Sequence, residues 1–350
     1  MGKFKPSQAI LPTEIRQISE ITIDFTLSFL ISVTGIVTNT LVIIVFARLG
    51  YRESVNISMT TIALWDLAKC AGAALQRFAG PLSLWSLAVA ESWSNVGVVV
   101  MNYFVCFSSY VTSVLAAYVA VERCLCVCLP FKVKWLLTPK VTLFMCVSIS
   151  IVVFGCFAVM FSIYDVIWVF SPEFNSTIAI YRYNTFALEN KAILFDYYNY
   201  SGIVWPTASF VVIVVCTTII VYKLAKSSEF RKGNSDVSQA EKQGEAPSSQ
   251  NLSGRDRQVV KMLVVIIAIY VINLSPRIAL YIAKQIIFDF YFLRKYHNMF
   301  LFVVYLLYIF DLTNGAINFF VFYTMSTAFR SKFLNMLPAN RFKRCCSPSY

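Results

Sequence analysis

Several ionisable residues interrupt apolar stretches that are long enough to cross a lipid bilayer. They are Asp66, Lys69, Arg277 and Asp311, with Arg77 nearer the end of its stretch. A charge at the bilayer centre costs roughly 2.5–3.5 kcal/mol on insertion scales, so each of these residues is a functional candidate. Such residues bind ions, pair with one another or hold charged groups of a ligand. The alternative is a neutralised network that only holds the helices together.

Catalysis at this depth would need partners that the sequence does not supply. An intramembrane hydrolase requires a nucleophile and a base, or paired metal ligands, within the membrane. The only histidine, His297, falls in a predicted outer loop, and neither Asp66 nor Asp311 has a partner motif beside it. We therefore expect no enzyme. A channel or transporter is the other alternative, and the lack of a visible inverted repeat argues against a transporter.

The composition and the apolar stretches together predict the fold class. Hydrophobic residues make up 58% of the 350 residues and charged residues 14%, against roughly 45–50% and about 25% in soluble domains. A helix needs about 20 apolar residues to cross the bilayer. We expect an all-α membrane protein, a seven-transmembrane helix bundle with a short amphipathic eighth helix. The predicted spans are residues 25–47, 56–80, 92–121, 141–164, 200–222, 260–283 and 299–325.

The basic residues indicate the orientation. Most of the 30 Lys and Arg residues face the cytoplasm if the N-terminus lies outside, as the positive-inside rule requires. The net charge of +12 is thus explained without a nucleic-acid partner. We expect a multi-pass plasma-membrane protein with residues 1–24 outside and a cytoplasmic tail at 338–350.

Three segments outside the spans have their own patterns. Residues 227–257, rich in polar residues, predict a disordered third intracellular loop. Residues 326–337 have apolar residues at helical spacing between basic ones, which predicts the eighth helix on the inner leaflet. The alternating residues from Thr177 to Tyr183 predict a short hairpin over the outer mouth of the bundle.

Modification signals agree with this orientation. Asn175 begins a glycosylation acceptor on the outer side, whereas Asn56 and Asn251 begin the same pattern on the cytoplasmic side and should stay unmodified. Cys345 and Cys346 follow basic residues in the tail and predict palmitoylation beside anionic membrane lipid. No cysteine falls in a predicted outer loop, so no extracellular disulfide is expected.

An ordered set of motifs carries a family resemblance from about residue 24 to 346. The third span ends in Glu122-Arg123-Cys124. The other matching positions are Gly35, Asn39, the run Ala63-Leu64-Trp65-Asp66-Leu67, the prolines Pro206 and Pro276 that would kink their helices, and the seventh-helix motif residues Asn318, Phe322 and Tyr323. In these the chain resembles the rhodopsin-like (class A) G-protein-coupled receptors. The variant Glu-Arg-Cys followed by Pro-Phe-Lys is similar, more narrowly, to gastropod-type chemosensory receptors and their neuropeptide-receptor relatives.

The resemblance implies a receptor for an extracellular small carboxylate or peptide that activates a heterotrimeric G protein. Arrestin and a receptor kinase are further candidate partners. A chemosensory role is the first expectation, and a neuropeptide receptor is the alternative. The implied resting lock at the inner face joins Arg123 to Glu122 and to Asp256, which stands at the inner end of the sixth helix.

The resemblance also implies a polar pocket and a ligand pocket. The polar pocket would hold a sodium ion on Asp66, Thr112, Asn314 and Asn318, unless Lys69 replaces the ion with a fixed charge. Arg277 would bind a ligand carboxylate, or only pair with Asp311. The ligand-pocket candidates are Lys69, Gln76, Val105, Ser109, Arg277, Tyr308 and Asp311.

Some family features are missing. Both cysteines of the family's usual outer disulfide are missing. Val98 stands near the expected position of the first, and the outer loop that would contain the second has no cysteine. Without this disulfide the hairpin would be less constrained. Phe319 replaces the proline of the seventh-helix motif, and the sixth helix reads Asn273-Leu274-Ser275-Pro276 without the usual Trp.

Overall fold

The computed structural model describes residues 11–237, 254–291 and 294–336. In chain order its helices are α1 Thr13–Ser19, α2 Ser28–Leu49, α3 Ser54–Arg77, α4 Ala79–Ser83, α5 Leu87–Cys128, α6 Pro130–Leu136, α7 Pro139–Gly155, α8 Thr185–Glu189, α9 Lys191–Val237, α10 Gly254–Ile286, α11 His297–Met325 and α12 Thr327–Leu334. A π-helix, Glu20–Leu27, joins α1 to α2, and a 3-10 helix, Ala158–Ser162, follows α7. The strands β1, Tyr164–Ser171, and β2, Ser176–Tyr183, form an antiparallel hairpin.

Six helical segments in the described chain are long and apolar enough to cross a membrane. They are Thr13–Leu49, Leu87–Cys128, Pro139–Ser162, Lys191–Lys223, Ile267–Ile286 and His297–Met325. The remaining predicted span, 56–80, corresponds to α3, which has 24 residues but is less apolar because it carries Asp66, Lys69 and Arg77. All three of these side chains are buried. Contacts with α2, α5, α7 and α11 enclose α3, so its charges face protein.

Several helices extend beyond the predicted spans. The first span begins at Thr13 instead of residue 25, because the π-helix and α1 pack against α11. The predicted disordered loop at 227–257 is shorter than expected, since α9 continues to Val237 and α10 begins at Gly254. Adding residues to an existing helix costs much less than nucleating one, so polar residues extend both spans. Residues 238–253 lie outside the described part of the chain.

Helix α5 occupies the centre of the bundle. It contacts α3, α7, α9, α10 and β2, and a larger share of it is buried than of any other candidate span in the described chain. Phe107 stacks on Phe157 beyond α7 with ring centres 4.2 Å apart. By contrast, α7 exposes Phe144 and Ile151 on its outer side. Exposed apolar faces of this kind are expected where lipid is the solvent.

The predicted kink prolines lie inside their helices, Pro206 in α9 and Pro276 in α10. A proline has no N–H, so the carbonyl four residues earlier loses its helical donor. At Pro276 that carbonyl belongs to Ile272, and the Ser275 hydroxyl donates to it at 3.1 Å. Gly202, four residues before Pro206, has no side chain, and a Cβ there would collide with the Tyr281 ring. Glycine thus lets α9 and α10 meet at Tyr281.

The eighth helix, predicted over 326–337, is observed as α12, Thr327–Leu334. Its apolar face differs from the prediction, because Phe329 is buried against Phe46 and Phe322 and does not face the inner leaflet. Phe333 packs against Phe319. Ring burial against α2 and α11 therefore docks α12 onto the bundle.

The hairpin prediction is confirmed by β1 and β2. Ala179 in β2 is fully buried, and α5 binds both of its backbone groups. Asn95 Nδ2 donates to the Ala179 carbonyl at 3.0 Å, and Ser92 Oγ accepts the Ala179 N–H at 3.1 Å. The hydroxyls of Tyr103 in α5 and Tyr164 in β1 form a hydrogen bond of 3.2 Å. These bonds attach the hairpin to α5 at the end where the family's disulfide is missing, and all cysteines within the described ranges are free.

Glycosylation tests the orientation directly. Asn175 is exposed in the hairpin turn with a φ of 45°, whereas the Asn56 side chain donates to the Gly50 carbonyl at 2.8 Å. We expect Asn175→Gln to abolish a glycosidase-sensitive shift on gels, because Asn175 is exposed on the outer side, whereas Asn199, which begins the same pattern there, is buried in α9. The matched change Asn56→Gln should leave the shift unaltered. A shift that depends on Asn56 would reverse the orientation.

Candidate functional site

The central polar site is built from two residues of α3. Asp66 and Lys69 are three residues apart and therefore share one face of the helix. Lys69 Nζ donates to Asp66 Oδ1 at 2.7 Å, and both side chains are almost completely buried. Asn318 of α11 donates from Nδ2 to the second carboxylate oxygen at 3.1 Å. The carboxylate thus receives a charged donor and an amide donor.

The neighbouring helices fit closely around this pair. Gly315 of α11 lies directly against it, since a Cβ there would stand 3.2 Å from both Asp66 Oδ1 and Lys69 Nζ. Asn39 of α2 donates to the Gly315 carbonyl at 2.7 Å and to the Gly35 carbonyl at 2.8 Å. The Gly35 and Asn39 positions of the resemblance therefore help to hold α2, α3 and α11 together at the ion pair.

Two predicted members of the polar pocket have no hydrogen bond to Asp66 among the described residues. Thr112 donates within its own helix to the Ser109 carbonyl at 3.1 Å. The Oδ1 atom of Asn314 is buried and has no hydrogen-bond partner among the described residues. Only Asp66 and Asn318 of the predicted set meet, together with Lys69.

A sodium ion does not fit this arrangement. Sodium would need the carboxylate oxygens of Asp66, but the Lys69 ammonium already lies 2.7 Å from one of them. A second cation beside it would be repelled strongly in a site without water. The arrangement favours the alternative in which the lysine takes the place of the ion.

The inner end of α5 carries a second buried ion pair. Arg123 Nη2 donates to Glu122 Oε1 at 3.1 Å, and Ser58 of α3 donates to Glu122 Oε2 at 3.0 Å. Glu122 is completely buried, and Arg123 is largely so. The Arg123 Nε has no partner among the described residues. The Asp256 side chain, predicted to complete the lock, lies outside the described part of the structure.

The seventh-helix motif connects the central site to α12. Asn318 contacts Asp66, and Phe322 packs edge-to-face on Phe46 with ring centres 5.2 Å apart. Tyr323 stacks on Phe319, which stands where the family motif has proline. Phe319 also packs against Phe329 and Phe333 of α12. The replacement therefore contributes a ring to the cluster that holds α12.

The outer half of the bundle holds a third ion pair. Arg277 of α10 pairs with Asp311 of α11, and its guanidinium lies 5.2 Å from the centre of the Tyr110 ring. Arg277 Nη1 also approaches Cys106 Sγ at 3.4 Å. The guanidinium is thus neutralised by Asp311 in this structure, which is the simpler of the two roles predicted for Arg277.

The other ligand-pocket candidates are spread over this half. Tyr308 donates to Asn102, and the Arg77 guanidinium lies 4.6 Å from the centre of its ring. Arg77 in turn pairs with Asp24 of the π-helix. The remaining candidates have local contacts. Gln76 accepts from Arg77 at 3.4 Å, Val105 packs in a small apolar cluster with Cys70 and Leu312, and Ser109 donates to the Val105 carbonyl at 3.0 Å.

One cationic residue here was missed by the sequence reasoning. Lys284 lies near the end of α10, with its Nζ 4.6 Å from the centre of the Tyr281 ring and 5.0 Å from that of Tyr291. Burial raises the pKa of Tyr291, so its phenol stays neutral and gives Lys284 no anionic partner. The predicted span ended at residue 283, so the sequence placed Lys284 in an outer loop and not in the sixth helix. The tyrosines around it come from different segments, so no local motif could have revealed them.

Breaking the central pair on one side should destabilise the protein. Lys69→Met leaves the buried Asp66 carboxylate unpaired, and we expect a loss of about 3–5 kcal/mol in the free energy of unfolding. The double change Asp66→Asn with Lys69→Met removes both charges and should recover most of that loss. Thermal unfolding of the purified protein is measured for the unaltered chain and both variants, in sodium chloride and in choline chloride.

The salt comparison tests the role of the lysine. We expect the unfolding temperature of the unaltered protein to be the same in both salts, and that of Lys69→Met to be higher in sodium. A clear stabilisation of the unaltered protein by sodium would show that the ion does bind beside Lys69.

Comparison with known proteins identifies the family. The family model for the serpentine type 7TM GPCR chemoreceptor Srw matches residues 26–340, which is well over half of the chain. No curated protein matches the chain in a direct search. The family is one of multi-pass, non-enzymatic membrane receptors that bind an extracellular ligand and couple to G proteins. The match spans the Asp66–Lys69, Glu122–Arg123 and Arg277–Asp311 ion pairs, and by it the chain belongs to the Srw family of serpentine seven-transmembrane chemoreceptors.

Proposed function

We propose that this chemoreceptor works at the plasma membrane with its N-terminus outside, and that a ligand in the outer half of the bundle releases Arg123 at the inner face. The buried Glu122–Arg123 pair, with Ser58 on the second carboxylate oxygen, is the observation that carries the proposal. A guanidinium that is held by its neighbour is not available to another protein. Opening the inner end would expose Arg123 to a heterotrimeric G protein.

The resting pair favours the closed bundle for an electrostatic reason. An Arg–carboxylate pair in a poorly hydrated site is stronger than the same pair in water. Ser58 lies on α3 and Glu122 on α5, so their hydrogen bond also joins the two helices at this end. Asp256 at the start of α10 would add a second carboxylate for Arg123. A ligand that binds the open state better would shift the population toward it.

Helix α5 is the natural connection between the two ends. Tyr110, which lies under Arg277, and Arg123 both belong to it. The Asp66–Lys69 pair lies in α3, which packs along α5. A displacement of α5 by a ligand would therefore act on the inner pair through one rigid element, with the central pair holding α3 and α11 in place.

The proposal allows two classes of ligand. The first is a small carboxylate, as for a chemosensory receptor, and the second is a peptide, as for a neuropeptide receptor. The basic residues of the outer half support the carboxylate, because a guanidinium or an ammonium binds a carboxylate with charged hydrogen bonds. Exposed aromatic residues on β1, Trp168 and Phe170, support the peptide. The peptide form corresponds to the neuropeptide-receptor relatives of the gastropod-type chemosensory receptors.

Sites at the cytoplasmic side complete the proposal. Cys345 and Cys346 would carry palmitate and hold the tail against anionic lipid. They lie outside the described residues. Arrestin and a receptor kinase would act on the same cytoplasmic side once Arg123 is exposed.

Two substitutions at the inner pair should have opposite effects on signalling. Glu122→Gln weakens the resting pair, and a loss of about 1–2 kcal/mol would raise the ratio of open to closed receptor by roughly 5–30-fold. Basal nucleotide exchange on the G protein should rise accordingly. Arg123→Ala removes the contact group and should abolish both basal and ligand-driven exchange. The measurement is made in membranes with equal amounts of receptor at the surface.

The matched control is Arg52→Ala, which removes an exposed basic residue of the first inner loop. It should leave exchange near the level of the unaltered receptor. Asp256→Ala should raise basal exchange if Asp256 belongs to the lock. Full exchange in Arg123→Ala at equal expression would contradict the proposed coupling.

A further inference from the structure

In the outer half of the bundle, Lys284 is a half-buried cation whose charge no carboxylate of the described residues balances, and Arg294 is another. Three arginines on its helices each pair with an acid. The pairs are Arg16 with Glu20, Arg77 with Asp24 and Arg277 with Asp311. Lys284 differs, because no carboxylate of the described residues lies within ion-pair distance of its ammonium group. Within the described residues, the Lys284 ammonium group is therefore not neutralised by an ion pair.

Three tyrosine rings surround that ammonium group. The Nζ of Lys284 lies 4.6 Å from the ring centre of Tyr281, 5.0 Å from that of Tyr291 and 5.6 Å from that of Tyr198. The rings come from α9, from α10 and from the segment that follows α10. Ring faces attract a cation, but they do not cancel its charge. The rings therefore hold the ammonium group in place without neutralising it.

This arrangement selects the charge of a ligand. Aromatic cages commonly bind ammonium groups of ligands. Here the cage already contains the ammonium of the chain itself, and a cationic ligand would meet a like charge at close range. An anionic group, in contrast, would find a preformed cation with three N–H donors. The carbon skeleton of a small anion would pack against the rings.

The cage is also connected to the centre of the bundle. The hydroxyl of Tyr281 lies 2.7 Å from that of Tyr110 in α5, and the Tyr110 ring lies under the Arg277 guanidinium. Towards the outer mouth, Tyr291 packs against Phe195 and Phe300. A ligand held at Lys284 would therefore touch the element that leads to α5 and to Arg123.

We propose that Lys284 is the anion anchor of the ligand site and that the ligand presents a carboxylate to it. Charged hydrogen bonds from the ammonium group would hold the carboxylate, and Tyr198, Tyr281 and Tyr291 would enclose the adjoining carbon atoms. The inference rests on the proposed function, which it deepens by naming the anchor and the chemical class of the ligand. Arg277, which is already paired with Asp311, then forms the floor of the site. The carboxylate belongs either to a free small acid or to the C-terminus of a peptide.

Paired probes test this inference in membranes of cells that express the full chain. The acid probes are aliphatic mono- and dicarboxylic acids of two to six carbons and short peptides with a free C-terminus. Their neutral partners are the primary amides of the same acids and the amidated peptides. We expect the acids of one source to drive nucleotide exchange and their amides to be at least about 10-fold weaker, because the charged hydrogen bond is lost.

Variants locate the anchor. Lys284→Met keeps most of the apolar stem and removes the charge, and it should lower the potency of the active acid by about 10- to 100-fold. Lys284→Arg retains a cation and should preserve most of the potency. The matched control is Lys295→Met, which removes an exposed lysine from the same outer region and should change nothing.

A binding measurement keeps the test independent of signalling. The active acid should raise the unfolding temperature of the purified receptor but not that of Lys284→Met. The inference is overturned if acids and amides act equally, if Lys284→Met responds like the unaltered receptor, or if no acid changes either exchange or unfolding temperature. Basal exchange that depends on Arg123 would survive such a result and would keep the proposed function. If the acid binds through Lys284 but nucleotide exchange does not depend on Arg123, the inference would stand and the proposed function would fail.

Discussion

The Asp66–Lys69 ion pair imposes the constraint on which the rest of the bundle depends, because both charged side chains are buried. An unpaired charge at this depth is costly, so each buried charge needs a partner of opposite sign within reach. The same requirement recurs at Glu122–Arg123 near the inner face and at Arg277–Asp311 in the outer half. Each pair also holds neighbouring helices together. Asn318 of α11 binds Asp66 of α3, Ser58 of α3 binds Glu122 of α5, and the Arg277–Asp311 pair joins α10 to α11. Neutralisation of charge thus determines how the helices sit against one another.

Much of the fold was predictable because it depends on local patterns. Apolar length indicated the spans, alternation indicated the hairpin, and helical spacing indicated α12. The prediction failed where contacts between distant segments decide the outcome. The first span begins at Thr13 because α1 packs on α11, and Phe329 of α12 turns toward α2 and not toward lipid. Neither partner can be read from the residues next to the element that it stabilises.

The candidate site was predictable in its charged members but not in their pairing. The apolar surroundings singled out Asp66, Lys69, Arg277 and Asp311, whereas the side-chain directions decide which of them meet. Thr112 and Asn314 illustrate the limit, because the resemblance assigned both to the polar pocket and neither has a hydrogen bond to Asp66 among the described residues. Lys284 illustrates the converse. Its importance depends on Tyr198, which lies more than eighty residues earlier in the chain, and on the lack of a described acid within ion-pair distance.

Three features that the resemblance would supply are replaced by contacts within the chain itself. Asn95 and Ser92 bind Ala179 where the outer disulfide is missing, the Lys69 ammonium lies where a sodium ion would bind, and Phe319 packs on α12 where the motif has proline. Hydrogen bonds thus stand in for the disulfide, an ion pair stands in for the bound ion, and ring packing stands in for the proline. We therefore expect the balance between the closed and the open bundle to depend on neither extracellular oxidation nor sodium. A receptor built in this way would respond to its ligand in surroundings where salt and redox conditions vary.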